Sequence, residues 1–226
     1  MNTLKLIVGF DQREALAYHT FCQSVIEKTS RPIAFIPLAD NAMPFYEESH
    51  QDGSNKFIYS RFLTPYLCNF SGLAVFADGD MICRSDISTL YELFDPEKAV
   101  QVVKHEYSTK YPKKYFGNKN ENYPRKNWSS VILWNCEHPA HRCLTPEFIR
   151  GQPGSFLHRF SWLQDELIGE LPMEWNWLAS EYEDNPAAKL IHYTVGTPCI
   201  DGFESAEMSE YWWQTYERLL EGKGAG

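Results

Sequence analysis

The sequence predicts a single α/β domain, a largely parallel sheet flanked by helices, and three observations carry that expectation. Short apolar runs alternate with stretches of helical periodicity, starting with Leu4-Lys5-Leu6-Ile7-Val8 and then residues 13–28. The 226 residues are enough for one sizeable core, and 43% hydrophobic against 23% charged residues is a globular balance. No internal repeat or linker-like stretch divides the chain, so one domain is expected, with a first half (about residues 1–95) and a second (about 96–221) meeting at the site.

Taken in order, residues 4–8 read as the first strand, running into the strand-end turn Gly9-Phe10-Asp11. Residues 13–28 read as a helix with Tyr18, Phe21, Cys22 and Val25 on one face. Residues 32–38 are the second strand. A polar loop over 40–56 contains Asp52-Gly53-Ser54-Asn55. Residues 57–68 read as a helix despite Pro65, and Arg61 on it can reach an anion at the strand ends. Ser85 is a candidate cap for a short helix through Asp86 and residues 90–94. Residues 99–103 form a strand ending at Lys104-His105, and 129–134 another. Thr145 and Pro146 have the types of a cap and a first helical residue. Residues 161–168 read as a helix, 175–178 and 188–193 as strands, 205–221 as an amphipathic helix, and 222–226 as a loose tail.

One stretch organises the rest. The apolar run Leu73-Ala74-Val75-Phe76-Ala77 ends in Asp78-Gly79-Asp80-Met81-Ile82. Open α/β sheets bind ligands at the carboxyl ends of their strands. Two aspartates there are costly unless something positive answers them, and a divalent ion with a preference for carboxylate oxygen is the usual answer. Gly79 leaves room for a ligand to approach. Residues 106–127 break the alternation and are rich in Tyr, Lys, Asn and Pro, against the sign of the whole protein. A loop this long reads as a lid over a diphosphate, mobile without ligand and ordered by it.

The formal charge of −9 argues against general nucleic-acid binding. The six cysteines are dispersed, with no zinc-ligand spacing. No secretory signal is visible and no apolar run is long enough to span a bilayer, so a cytoplasmic setting is expected.

The order Phe-x-Asp-Gly-Asp-Met near residue 80, Gln164-Asp165, Trp175-Asn176 and Ile191-His192-Tyr193 resembles GT-A glycosyltransferases, nearest the retaining, glycogenin-like enzymes of family eight. The resemblance spans roughly residues 4–200. It implies that Asp78 and Asp80 bind a divalent ion, Mn²⁺ or Mg²⁺, that bridges the diphosphate of a nucleotide sugar, and that His192 completes the metal shell. It also implies that Gly9, Phe10, Asp11 and Arg13 hold the base, and that Gln164 and Asp165 line the sugar pocket. Asp78 and Gly79 contact the donor, with Arg61 and Lys104 adding positive charge. Three departures are visible: Leu163 replaces the first acid of an Asp-Gln-Asp triplet, the tail from His192 lacks the family's lysine, and Asn127 stands one place early for an Asn-Ser-Gly start.

The expectation is therefore a metal-dependent transferase moving a hexose, glucose as first choice, from a UDP-sugar to an acceptor the sequence does not name. The alternative is a non-catalytic nucleotide-sugar or carbohydrate-binding protein on the same fold. A haloacid-dehalogenase-type phosphatase fits less well, because its Asp-x-Asp lies near the start of the fold and continues to Thr or Val.

Overall fold

The computed structural model describes residues 3–50, 55 and 57–221; the expectations for Asp52-Gly53-Ser54 and the 222–226 tail lie outside the described residues. The strands are β1 (Leu4–Gly9), β2 (Ile33–Leu38), β3 (Leu73–Ala77), β4 (Met81–Cys83), β5 (Val100–Val102), β6 (Val131–Asn135), β7 (Ile168–Glu170), β8 (Trp177–Leu178) and β9 (Leu190–His192). The helices are α1 (Ala15–Ile26), α2 (Thr64–Leu67), α3 (Ser88–Tyr91), α4 (Pro146–Arg150), α5 (Gly154–His158) and α6 (Ser209–Glu221). Six strands form the main sheet in the order β2-β1-β3-β6-β5-β7. β1 runs parallel to β2 and β3, and β5 to β7, while β6 is antiparallel to both its neighbours. The sheet is thus mostly parallel, as expected, with one reversed strand. β4, β9 and β8 make a smaller sheet beside it.

The apolar runs are continuous because both faces of the main sheet are covered. Leu6, Val8, Val75, Ala77, Val131 and Leu133 pack on one face with Phe21 and Val25 of α1. Ile7, Ala74, Phe76, Ile132 and Trp134 alternate to the other face, against Phe62, Ile149 and Leu157. A third cluster joins Ile82 and Ile191 of the small sheet to Met208 and Trp212, which seats α6.

Several elements differ from expectation. The helix expected over 57–68 begins as a 3₁₀ turn, Ser60–Leu63, and ends after the short α2, with Asn69 and Phe70 in the left-handed region. Over 161–168 the chain forms a 3₁₀ turn, Asp165–Leu167, and then β7. Helix cannot continue from α5 because Phe160 turns left-handed at φ 55°, and β7, three residues long, is too short to show an alternation. Ser85 does not cap α3; the Asp86 carboxylate accepts from Ser88 N at 2.9 Å instead. The Thr145 cap on α4 is present, its hydroxyl accepting from Phe148 N at 3.2 Å.

Candidate functional site

Asp78 follows β3 of the main sheet, and Asp80 precedes β4 of the small one. β4 pairs with β9 in a register that sets Met81 opposite His192, and Tyr193 N donates to Asp80 O at 3.0 Å. Two residues 112 positions apart are thereby fixed side by side at the seam of the sheets. His192 Nε2 lies 3.3 Å from Asp80 Oδ1 and 3.9 Å from Asp78 Oδ2. One ligand atom from each of the three comes within 4.8 Å of the others, and all three residues are buried.

The histidine is oriented by Asn176, which the sequence reading had placed on a strand and within the family-like motif set, without a role in the site. Asn176 is wholly buried and its Nδ2 donates to Ser130 Oγ at 2.7 Å and to Asn127 O at 3.2 Å. Its Oδ1 is therefore an acceptor, and it faces His192 Nδ1 at 3.0 Å. That contact puts the proton on Nδ1 and leaves a lone pair on Nε2, the atom aimed at the aspartates. Oδ1 of both aspartates is buried without a hydrogen-bond partner. The contacts of Asp78 Oδ1 with Arg61 Nη1 (2.9 Å) and of Asp80 Oδ1 with His192 are close in distance but off hydrogen-bond geometry. Two orphaned carboxylate oxygens and one imidazole lone pair fit a hard divalent cation, with positions left over for phosphate oxygens.

Charge around the cluster is arranged unevenly. Burial pushes Asp78 up to about 6, opposed by Arg61 and reinforced by Asp80. Burial acts on Asp80 too, but the neighbouring His192 and then the charge of Lys114 hold it below the ordinary carboxylate range. Arg61 is buried between the rings of Phe76 and Phe57, donating to Ser129 O at 2.8 Å and Ile58 O at 2.9 Å. It reaches the strand ends as expected, where it answers Asp78.

Of the remaining expected residues, Asp11 is buried and clasps Arg13, whose guanidinium lies 2.6 Å from Asp11 Oδ2 and 5.3 Å from the Phe116 ring centre. Phe10 packs edge-on to Tyr18. Gly9 lies under the Phe57 ring. A Cβ on Gly79 would sit 2.5 Å from Gly9 O, so the close approach that glycine permits here is between two strand ends. Lys104 stands 5.8 Å from the Trp128 ring centre. Gln164 and Asp165 are exposed and outside the cavity wall; Asp165 pairs with Arg125 at 2.6 Å, two residues before Asn127 of that wall.

The cluster opens into a cavity of about 60 Å³ whose wall includes Lys114, Tyr115 and Tyr123 of the 106–127 segment. That segment is mostly loop, as expected, with one 3₁₀ turn (Tyr115–Gly117) and a bridge between Lys113 and Lys119. It is docked rather than loose. Tyr115 N donates to Val195 O at 2.9 Å, Glu181 accepts from Lys110 N at 3.0 Å and from the Thr109 hydroxyl, and buried Lys126 donates to Asn120 and to Glu121 O. Burial, then the charge of Lys114, pushes Lys126 down to about 8. Among the described residues, sequence reasoning also passed over Glu14: buried, with Oε1 unpartnered, it is pushed up to about 8 by burial and by Asp80.

With this geometry in hand, comparison with known proteins is informative. Protein CDI of Arabidopsis thaliana is 38% identical over 217 residues, covering 92% of this chain and 84% of its own. The chain belongs to the CDI family. No protein-family model matches it. Among solved structures, this CDI-family chain is similar to the bifunctional glycosyltransferase WbbM (TM-score 0.67, 15% identity, 97% of this chain and 51% of that one). It is also similar to the galactosyltransferase LgtC, solved with donor and acceptor sugar analogs (TM-score 0.61, 11% identity, 95% of each). The chain spans about half the length of WbbM. The fold is the GT-A fold of glycosyltransferases. No helix among the described residues is long and apolar enough to cross a membrane.

Proposed function

We propose that this chain is a metal-dependent glycosyltransferase that moves a hexose from a UDP-sugar, glucose being the first candidate. The observation that carries the reading is the convergence of Asp78, Asp80 and an Asn176-oriented His192 at the strand ends of a GT-A fold. When bound there, a divalent cation, Mn²⁺ or Mg²⁺, would supply Lewis-acid stabilisation of a leaving diphosphate. The chain's own residues do the rest. Arg61 adds a fixed positive charge beside Asp78. Asn176 keeps the Nε2 lone pair presented, and the burial of all three ligands excludes competing water. In this reading the turn Gly9-Phe10-Asp11 with Arg13 meets the nucleotide, and Gly79 lets that turn lie against the metal site. Lys104 adds charge beyond Trp128.

In this reading residues up to about 95 supply most of the nucleotide side, and those from about 96 most of the acceptor side. A second cavity, of about 410 Å³, shares Ile58, Tyr123 and His158 with the first and adds Tyr59, Glu121 and Arg159. Aromatic faces beside a carboxylate and a guanidinium suit a carbohydrate, and we take this as the acceptor side. Gln164 and Asp165 would meet the transferred sugar once Arg125 releases Asp165.

The exposed position of Gln164 and Asp165 also favours a second reading, a nucleotide-sugar-binding protein without turnover. One experiment separates the two: a screen of UDP-glucose, UDP-galactose and other nucleotide sugars for hydrolysis with Mn²⁺, run beside calorimetric UDP binding. Turnover in wild type that is lost in a folded Asp80→Ala supports the transferase. Binding without turnover of any donor supports the second reading. Mn²⁺-dependent turnover retained in Asp80→Ala would overturn the metal assignment.

A further inference from the structure

Lys114 is the one residue of the 106–127 segment whose charged end lies in the metal cavity itself. Its Nζ donates to Thr194 Oγ1 at 2.9 Å, two residues past His192, and it shares the cavity wall with Asp78, Asp80, Arg61 and His192. Its backbone is held on both sides, Lys114 N donating to Asn118 O at 2.8 Å and Tyr115 N to Val195 O at 2.9 Å. The ammonium is therefore carried into the site by the docking of the segment, whereas Lys110, Lys113 and Lys119 of the same segment stay exposed.

Counting charges in the cavity gives the consequence. Asp78 and Asp80 contribute two negative charges, Arg61 and Lys114 two positive ones, and an Nδ1-protonated His192 none. The charges that the chain itself places in the cavity thus sum to zero with Lys114 in place. A divalent cation between the aspartates adds two positive charges, and like charge then drives the mobile ammonium away from the carboxylates. A doubly esterified diphosphate brings two negative charges, and the site is neutral again with the same lysine turned onto a phosphate oxygen. Arg61 cannot make that exchange, because two backbone acceptors, the ion pair with Asp78 and two aromatic rings fix it. A lysine can, since its ammonium is a point charge on a flexible stem.

We infer that Lys114 is a diphosphate-binding residue delivered by the docked segment, and that in the ligand-free protein its ammonium stands in for the charge of the metal. The inference rests on the transferase reading above and extends it: the lysine opposes metal binding on its own and favours nucleotide binding once metal is present. Burial lowers the Lys114 ammonium's proton affinity below its ordinary value, and Asp80 and then Asp78 oppose that lowering.

The test uses calorimetry with two probes, Mn²⁺ alone and UDP in saturating Mn²⁺, on wild type, Lys114→Met, Lys114→Arg and Lys113→Met. Lys114→Met keeps most of the stem's packing and removes the charge; Lys113→Met makes the same charge change one residue away on an exposed side chain. The expected result for Lys114→Met is Mn²⁺ binding several-fold tighter and UDP binding weaker by about tenfold or more, the loss of one charge-assisted contact. Lys114→Arg should retain most of the UDP affinity, and Lys113→Met should match wild type for both probes. A lysine that merely holds the segment in place would weaken both ligands or neither, so same-direction changes overturn the inference. Equal UDP affinity in Lys114→Met and wild type overturns it while leaving the transferase reading intact. If wild type binds Mn²⁺ but not UDP, the reading and the inference fall together. Thermal unfolding of each variant, compared with wild type, identifies any loss that comes from misfolding, and Lys114→Arg then carries the comparison.

Discussion

At the scale of single residues, the site depends on which nitrogen of His192 carries its proton, and Asn176 decides that. The amide is committed on its nitrogen side by Ser130 and Asn127, so only its oxygen is left for Nδ1. Removing the ligand and removing its orienter should therefore differ in degree. His192→Ala deletes one of the three proposed ligands and should weaken Mn²⁺ binding most. Asn176→Ala leaves the imidazole free to turn or change tautomer, and should cost roughly 10–100-fold in metal affinity. Mn²⁺ titration in the presence of UDP checks both. Wild-type affinity in Asn176→Ala would mean that β9 alone orients the ring; wild-type affinity in His192→Ala would remove His192 from the metal shell. Lys114 and Glu14 also belong to this scale: local sequence does not distinguish Lys114 from Lys113, and it does not mark Glu14 as buried.

At the scale of elements, residues 106–127 connect β5 and β6 and cover the cavity without contributing a strand to either sheet. Their attachment to the rest of the molecule is polar: Glu181 at one end, Arg125 with Asp165 and Arg159 O at the other, Tyr115 in the middle. The tip carries Phe116 and Gly117 in succession at positive φ, with Phe116 half exposed. Such a segment can open without unfolding the sheet beneath it. In the transferase reading it opens to admit the donor, because the space beside the aspartates, about 60 Å³, is well below the roughly 300–1,000 Å³ of small-molecule sites. Trypsin under native conditions should cut first at Lys110, Lys113 or Lys119, and UDP with Mn²⁺ should slow that cleavage several-fold by holding the segment shut. Equal rates with and without the ligands would mean that the segment does not respond to the site it covers.

At the scale of the whole molecule, the acidic site leaves a mark on stability. Glu14 lies in the turn after β1, and its carboxyl is raised from 4.5 to about 8 by burial first and by the charge of Asp80 second, the Tyr115 hydroxyl opposing. The folded protein therefore holds a proton that the unfolded chain releases near 4.5. The stability associated with Glu14 is complete below that value and is lost as pH rises through about 8. Asp78 makes the same kind of contribution at lower pH, below about 6, and Lys126 acts only above about 8. Between pH 6 and pH 8 the buried His105, His141 and His158, each held below its ordinary value by burial, act in the opposite sense to Glu14, so only the difference between wild type and a Glu14 variant isolates the carboxyl. Urea unfolding should show the stability of wild type relative to Glu14→Gln falling by about 2 kcal/mol across this interval. An identical pH dependence in both proteins would show that Glu14 does not titrate there.

What the sequence determined by itself is what a short window records. Alternating apolar runs define a doubly covered sheet, and the run through Ala77 ending in Asp78-Gly79-Asp80 marks its ligand-binding edge. The late Ile191-His192-Tyr193 was legible as a metal ligand only through a family likeness, since one histidine after an apolar pair has no chemistry of its own. β7 was missed because three residues show no period, and the 161–168 helix was expected because Phe160's left-handed turn has no local signature. The tertiary structure decided which atoms meet: Met81 in register with His192, Asn176 behind the imidazole, Lys114 inside the cavity rather than in solvent, and Gly9 O in the space that Gly79 leaves. The physical reason is that these contacts join segments tens to more than a hundred residues apart. Backbone hydrogen bonds between distant strands and the packing of a docked loop fix them, and neither leaves a periodic trace in the residues it brings together.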